Sequence, residues 1–398
     1  MISKRVENLQ PSQTLKISAL AKEMQRQGKS IISLSAGEPD FKTPAHICEA
    51  AKKAIDDGHH GYTMNTGTPE LREAISQKLK AENGLDFSPS EIIVSNGAKQ
   101  SVGFSLLALV NEGDEVIIPS PYWVSYPEMV KLAGGKPVFV RTRFADDYKL
   151  TPNWLESVIT PKTKVLILCS PSNPTGSCYS REELRELANV LMKHPHVCVL
   201  SDEIYEYISF DGPHVSLLQV EPRLRDRFLL INGFSKGFAM TGWRLGYLAA
   251  SEPIVKAVAK LQSQETSAPS TISQKAGEAA YKGSLDEVME MKKAFRERRD
   301  FLVKALNEID GVKCFTPGGA FYVFPEISDY LGRKKPNGEV IGTSTDLCMY
   351  LIEDHGLALV PGDAFGEPEG VRLSYSASME TLQEAMRRFN EGLSSLKS

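Results

Sequence analysis

Apolar positions fall into short runs separated by longer polar-apolar segments. EIIVSN, DEVIIPSP, KPVFVR, KVLILCS, HVCVLSDE and RFLLING are β-branched and bounded by turn formers, which predicts strands. HICEAAKKAIDDG and PELREAISQKLKAENG, ahead of them, carry apolar residues at helical spacing and end at glycine. The intervals between runs leave room for further helices. Apolar strands alternating with amphipathic helices predict an α/β fold: a mostly parallel sheet covered by helices on both faces.

The pattern changes toward both ends. Up to Lys29 the chain reads as a polar arm plus a first helix, and SIISLSAGEPDF as a short strand entering a turn at Gly37 and Pro39. From about Asp286 a long charged helix leads into GVKCFTPGGAFYVFPEI, GLALVPGDAFG and GVRLSYS, which predict a smaller sheet with a terminal helix, MRRFNEGLSSL. The expected organisation is an arm and first part of a small α+β domain over 1–45, a large domain over 46–290, and the rest of the small domain over 291–398.

Composition narrows the function classes. The 398 residues include 46 Lys+Arg against 50 Asp+Glu, a net charge of −4, so the basic footprint of a nucleic-acid binder is missing. No apolar run reaches the roughly 18–20 residues that cross a bilayer, and the N-terminus lacks the apolar stretch of a secretory signal. The six cysteines form no CxxC and no metal-ligand spacing with histidine, which suits a reducing cytoplasm.

Several residues could carry chemistry, each with a plainer role beside it. Lys236 comes after an apolar strand, between Ser235 and Gly237. Desolvated there, its amine would be a nucleophile fit for a Schiff base; otherwise it points into water. Asp202 ends another apolar strand, where it could hold a pyridinium proton or cap the next helix. Ser95, Gly97 and Ala98 open a helix and could hold a phosphate, with Lys99 as a nearby cation; any strand–turn–helix gives the same pattern. Arg244 could clamp phosphate oxygens. Arg372, a charge in an apolar strand, needs a carboxylate that is either internal or brought by substrate. Trp123 could stack on a flat ring or belong to the core, and Asn173 is by default a turn residue before proline. Together these are the parts a pyridoxal-phosphate enzyme needs.

SxSNPTG, SDEIYE, FSKxFAMTGWRxG and RLSYS, in this order, resemble the fold-type I, class I aminotransferases. AGEPDF, PELREAI and SPYWVSYPEMV resemble the bacterial aspartate-aminotransferase branch, subgroup Iβ. The likeness runs from about Pro11 to the C-terminus. It implies that Lys236 bonds the cofactor pyridoxal 5'-phosphate and shuttles a proton, and that Asp202 pairs with the ring nitrogen. Asn173 and Tyr205 would bond the phenolate oxygen. Gly97, Ala98, Ser235 and Arg244 would hold the phosphate, with Trp123 on the ring. Arg372 would bind the substrate α-carboxylate near Trp123, Asn173 and the Gly37 backbone. Tyr62 matches the tyrosine that reaches a neighbouring subunit's phosphate, implying a homodimer with shared active sites.

In this branch Lys99 resembles the group that meets a distal carboxylate, and Pro11-Ser12-Gln13-Thr14 the segment closing over it. The implied partners are amino acids and 2-oxo acids, with aspartate as donor and 2-oxoglutarate as acceptor. Relatives that also use prephenate tend to carry a basic residue immediately before that proline. Here it is Gln10, an uncharged amide with less attraction for a second carboxylate. Aromatic amino acids or alanine are the alternative donors. A non-catalytic regulator on the same fold is the rival from another class; such proteins usually carry an extra DNA-binding domain, whereas here a short arm precedes the aminotransferase-like part.

Overall fold

The computed structural model describes residues 2–397. A short helix, Lys4–Glu7, leads through the helix Gln13–Arg26 into β1 (Ile32–Ser33). The large sheet comprises β2 (Ile92–Ser95), β3 (Glu115–Ser120), β4 (Lys136–Arg141), β5 (Thr163–Cys169), β6 (Cys198–Asp202), β7 (Phe228–Gly233) and β8 (Gly246–Ala249). Its spatial order is β2-β8-β7-β6-β5-β3-β4. Strands β3 to β7 pair in parallel, and β8 runs antiparallel between β7 and β2. This is the expected α/β layout.

Period-two alternation builds a core on each face. Val165, Ile167, Leu229 and Ile231 pack into one layer, while Leu166, Leu168 and Leu230 pack into the other. Burying each such side chain contributes about 1.5–3 kcal/mol. Strand β8 was not among the expected strands, because Gly246, Ala249 and Ala250 dilute the β-branched signal in LGYLAA.

The C-terminal strands are shorter than expected: β9 (Tyr322–Val323), β10 (Leu357–Ala358), β11 (Val360–Pro361) and β12 (Val371–Ser374). β1 pairs in parallel with β10, and β11-β12-β9 form a separate antiparallel sheet. Leu34 shares one core with Phe295, Leu302, Leu373 and Phe389, so the two chain ends pack together. The helix Asp286–Asn307 runs unbroken through residue 290. Among the described residues, no helix is long and apolar enough to cross a membrane.

Candidate active site

Loops leaving the carboxyl ends of β3, β5, β6 and β7 enclose a cavity of about 600 Å³ with the helix Gln13–Arg26 and β12, the place where open α/β sheets take ligands. Lys236 stands three residues beyond β7, half-buried, and its amine donates to the Gly37 carbonyl. Burial pushes this amine down to about 8, helped by the Arg372 and Arg244 cations and opposed by Glu38 and Asp202. A lysine pointing into water would keep its ordinary value.

Asp202 closes β6 and is buried. Its Oδ2 accepts from the Tyr126 hydroxyl at 2.7 Å and its Oδ1 from the Ile204 N–H at 3.3 Å. Burial pushes the carboxyl up to about 6, with the Tyr126 bond pulling the other way. The capping role is thus partly present, but the chain continues only into a single 3-10 turn, Glu206–Ile208.

Arg372, on β12, is 2% exposed. It donates through Nη1 to Asn173 Oδ1 and through Nη2 to the Ser35 carbonyl, each at 2.9 Å, and its Nε is buried without a partner. Its guanidinium carbon lies 4.4 Å from the centre of the Tyr322 ring, whose hydroxyl is 3.0 Å from that of Tyr205. Neither contact neutralises the arginine, so a carboxylate in the cavity would.

Gly97 caps the helix Ala98–Leu109 with φ of 81°. A Cβ there would stand 2.4 Å from Arg244 Nη2, so the guanidinium lies directly over the helix start. A Cβ on Gly246 would come within 2.3 Å of the Ala98 nitrogen. Backbone therefore packs on backbone at a helix N-terminus, leaving N–H groups and a cation for an anion. Ser235, Ala98 and Arg244 line this end of the cavity. Ser95 does not: its hydroxyl turns away to Gly97 O at 3.0 Å and Ser101 Oγ at 2.7 Å.

Trp123 faces the cavity and stands edge-on to Tyr126, 86° between planes. Lys99 Nζ sits 5.1 Å from the Trp123 ring, and desolvation followed by the Arg244 charge lowers its proton affinity. Thr14 and Leu15 form part of the rim. Gln10 is outside the lining, its backbone N–H bonded to Glu128. Tyr62 is 99% exposed and away from this chain's cavity.

These residues fit a flat, anionic cofactor: an orphaned arginine nitrogen, a side-chain-free anion cradle, a desolvated amine and a buried carboxylate face one space. The site also contains Tyr126 and Tyr322, which the sequence does not single out. Tyr126 has a signal only in standing three residues after Trp123, at the start of the next helix; Tyr322 has none beyond an aromatic strand.

Residues 29–389 match the family described as aminotransferase class I and II. The chain is 51% identical over 401 residues to a Petunia hybrida bifunctional aspartate aminotransferase and glutamate/aspartate-prephenate aminotransferase, covering 100% of this chain and 83% of that one. It is 47% identical to the aspartate aminotransferase of Rhizobium meliloti strain 1021, over 96% of this chain and 94% of that one. A crystal structure of a Rhizobium meliloti aspartate aminotransferase superposes with a TM-score of 0.97 at 45% identity and 100% coverage of both chains. The Thermus thermophilus enzyme with maleate gives 0.92 at 41%, covering 98% and 99%. With the family match spanning most of its length and full-length relatives at 45–51% identity, the chain belongs to the class I and II aminotransferase family.

Proposed function

We propose that the chain catalyses pyridoxal-phosphate-dependent transfer of the amino group of L-aspartate to 2-oxoglutarate, giving oxaloacetate and L-glutamate by ping-pong turnover. The observation that carries this reading is the convergence of the Lys236 amine, the Asp202 carboxylate and the Arg372 guanidinium on one cavity. Names of relatives support aspartate as donor. So does the Thermus thermophilus structure with maleate, a four-carbon dicarboxylate.

When bound, pyridoxal phosphate supplies an electron-withdrawing ring that carries the amino group between the two substrates. Asp202 would hold the proton on the ring nitrogen, and Tyr126 would orient Asp202. Tyr205 and Asn173 would bond the phenolate oxygen, and Trp123 would cover the ring. Gly97, Ala98, Ser235 and Arg244 would seat the phosphate. Arg372 would clamp the α-carboxylate near the Gly37 backbone, while Lys99 would meet the distal carboxylate. Lys236, neutral above about 8 before it bonds the cofactor, would move the proton at the substrate Cα.

Tyr62, exposed here, suits the role of reaching a second copy's phosphate, so the working assembly is a homodimer with shared sites. The six free cysteines suit a reducing cytoplasm. The working domain division is 1–45 with 291–398, around 46–290.

A second reading, prephenate as an additional acceptor, is favoured by the Petunia hybrida relative's name.

The test is an absorbance spectrum of the purified protein with L-aspartate and then 2-oxoglutarate. A cofactor band that shifts with aspartate and returns with the oxo acid supports the reading. A band that ignores aspartate removes the donor, and no protein-bound cofactor after pyridoxal phosphate is added and its excess removed excludes the cofactor. Return of the band with prephenate decides the second reading.

A further inference from the structure

Behind Asp202 lies a second set of buried polar groups that the transamination chemistry does not use. Glu203 is fully buried, and three side chains hold its two oxygens. Oε1 accepts from Ser201 Oγ at 2.8 Å and Ser216 Oγ at 2.7 Å, and Oε2 lies 2.9 Å from His214 Nε2. Neither Glu203 nor any of its three partners lines the active-site cavity. His214 instead borders a separate cavity of about 350 Å³, walled also by Cys178, Ser209 and Gly318. Successive side chains of extended chain point to opposite faces, so Asp202 and Glu203 stand back to back at the end of β6.

We propose that Glu203, clamped by His214, Ser201 and Ser216, is a positioning residue that acts on the cofactor's ring nitrogen through Asp202, and that His214 sets how much of its charge is felt there. The inference rests on the pyridoxal-phosphate reading of the site. A carboxylate shut away from solvent projects its charge far through the low dielectric of the core. Burial opposes ionisation of Glu203, yet His214 and the two serines together hold its carboxyl below the ordinary value. Its negative charge adds to burial in raising the proton affinity of Asp202, against Tyr126 and Lys236. The same charge acts on Lys78 and Tyr247, which pack on the same side. A more basic Asp202 keeps a proton on the ring nitrogen more firmly, and that is the state in which the ring withdraws electrons.

A buried ion pair serving only the fold would leave Asp202 indifferent to the sign of the change. The experiment therefore compares Glu203→Gln, His214→Gln and the double variant in the cofactor-bound enzyme, by pH titration of the ¹⁵N resonance of the cofactor's labelled ring nitrogen. Glu203→Gln keeps the shape and the serine bonds while removing the charge. Its titration midpoint should fall by about half a pH unit, a threefold change in proton dissociation, and that of His214→Gln should rise by a similar amount. The double variant should lie between them.

An unmoved midpoint in Glu203→Gln, or shifts of the same sign in both single variants, overturns the proposal. Should Glu203→Gln fail to fold, His214→Gln alone decides, an unchanged or lowered midpoint overturning it. A second readout is ¹³C resonance titration of the Asp202 carboxyl in cofactor-free protein, lowered by Glu203→Gln and raised by His214→Gln. If the wild-type protein takes up no cofactor, the pyridoxal-phosphate reading fails, and this carboxyl titration still decides the coupling.

Discussion

The Tyr126 hydroxyl donates to Asp202 Oδ2 across 2.7 Å, with both groups shut away from water. Burial alone drives the carboxyl toward its neutral form, and the hydrogen bond draws it back. Tyr126→Phe deletes the bond and leaves the ring in place. A hydrogen bond to a charged group is worth about 1.5–3 kcal/mol, so cofactor affinity should fall by about ten- to a hundredfold. Equilibrium titration of cofactor-free protein with pyridoxal phosphate, monitored by quenching of tryptophan fluorescence, measures it. Undiminished affinity would remove Tyr126 from the site.

Asp202 should lower the stability of the cofactor-free protein. Its folded carboxyl is pushed up to about 6 from an ordinary value of 3.8, so between those values the folded state binds more protons than the unfolded one. Stability contributed by this group therefore falls as pH rises from about 4 to 6, and the deficit is complete above that. Asp202→Asn should stabilise the cofactor-free protein at pH 7 by on the order of 1–3 kcal/mol, with the gain vanishing toward pH 4. Urea denaturation at the two pH values checks both the size and the sign.

Lys236 should titrate early for the same reason in reverse. Burial lowers its affinity for a proton, so the neutral amine appears as pH rises through about 8 rather than near the ordinary value of 10.5. In cofactor-free protein, the labelling rate of Lys236 by a small amine reagent should reach half its plateau near pH 8. A midpoint above 10 would place the amine in water. Lys236→Ala should abolish turnover while retaining non-covalent cofactor.

Beneath the site, Lys78 is buried against Glu206, which also accepts from Asn232 Nδ2 at 2.9 Å on β7. Removing one partner strands a buried charge, so Lys78→Met or Glu206→Gln should each lose about 3–5 kcal/mol of stability. The double variant should recover most of it. Denaturation midpoints of the three variants test this, and additive losses would show that the pair does not act as one unit.

Lys99→Met should weaken dicarboxylic donors selectively. Lys99 reaches the cavity beside Trp123, and Arg372 lines the same cavity. Its loss should reduce kcat/KM for aspartate by about a hundredfold, from the ~3 kcal/mol of a charge-assisted contact, and leave alanine little changed. Equal losses for both donors would exclude Lys99 as the distal-carboxylate group.

How much of this is written in the chain depends on the element. Strands β3 to β7 announce themselves through apolar β-branched runs, with the carboxylate at the end of β6 and the lysine just beyond β7, while the two arginines sit in recognisable motifs elsewhere, ahead of β8 and on β12. Strand β8 is hidden because packing on Gly97 and Gly233 demands small residues, which carry no strand signal. Ser95 has the neighbours of an anion ligand, yet its hydroxyl serves the turn itself. Glu203 and His214 lie eleven residues apart, and no spacing rule joins them; only the fold brings them to 2.9 Å.

The anion cradle at Gly97 and Gly246 has an evolutionary consequence. Since a side chain at Gly246 would strike the Ala98 backbone and one at Gly97 the Arg244 guanidinium, almost no substitution can enter without a clash, whereas the rim at Thr14 and Leu15 is made of side chains on a partly exposed helix. Mutation is thus filtered by position: the cradle that would seat an anionic cofactor is frozen, and the rim that would face the substrate is free to drift. Descendants of such a chain change their diet before they change their chemistry.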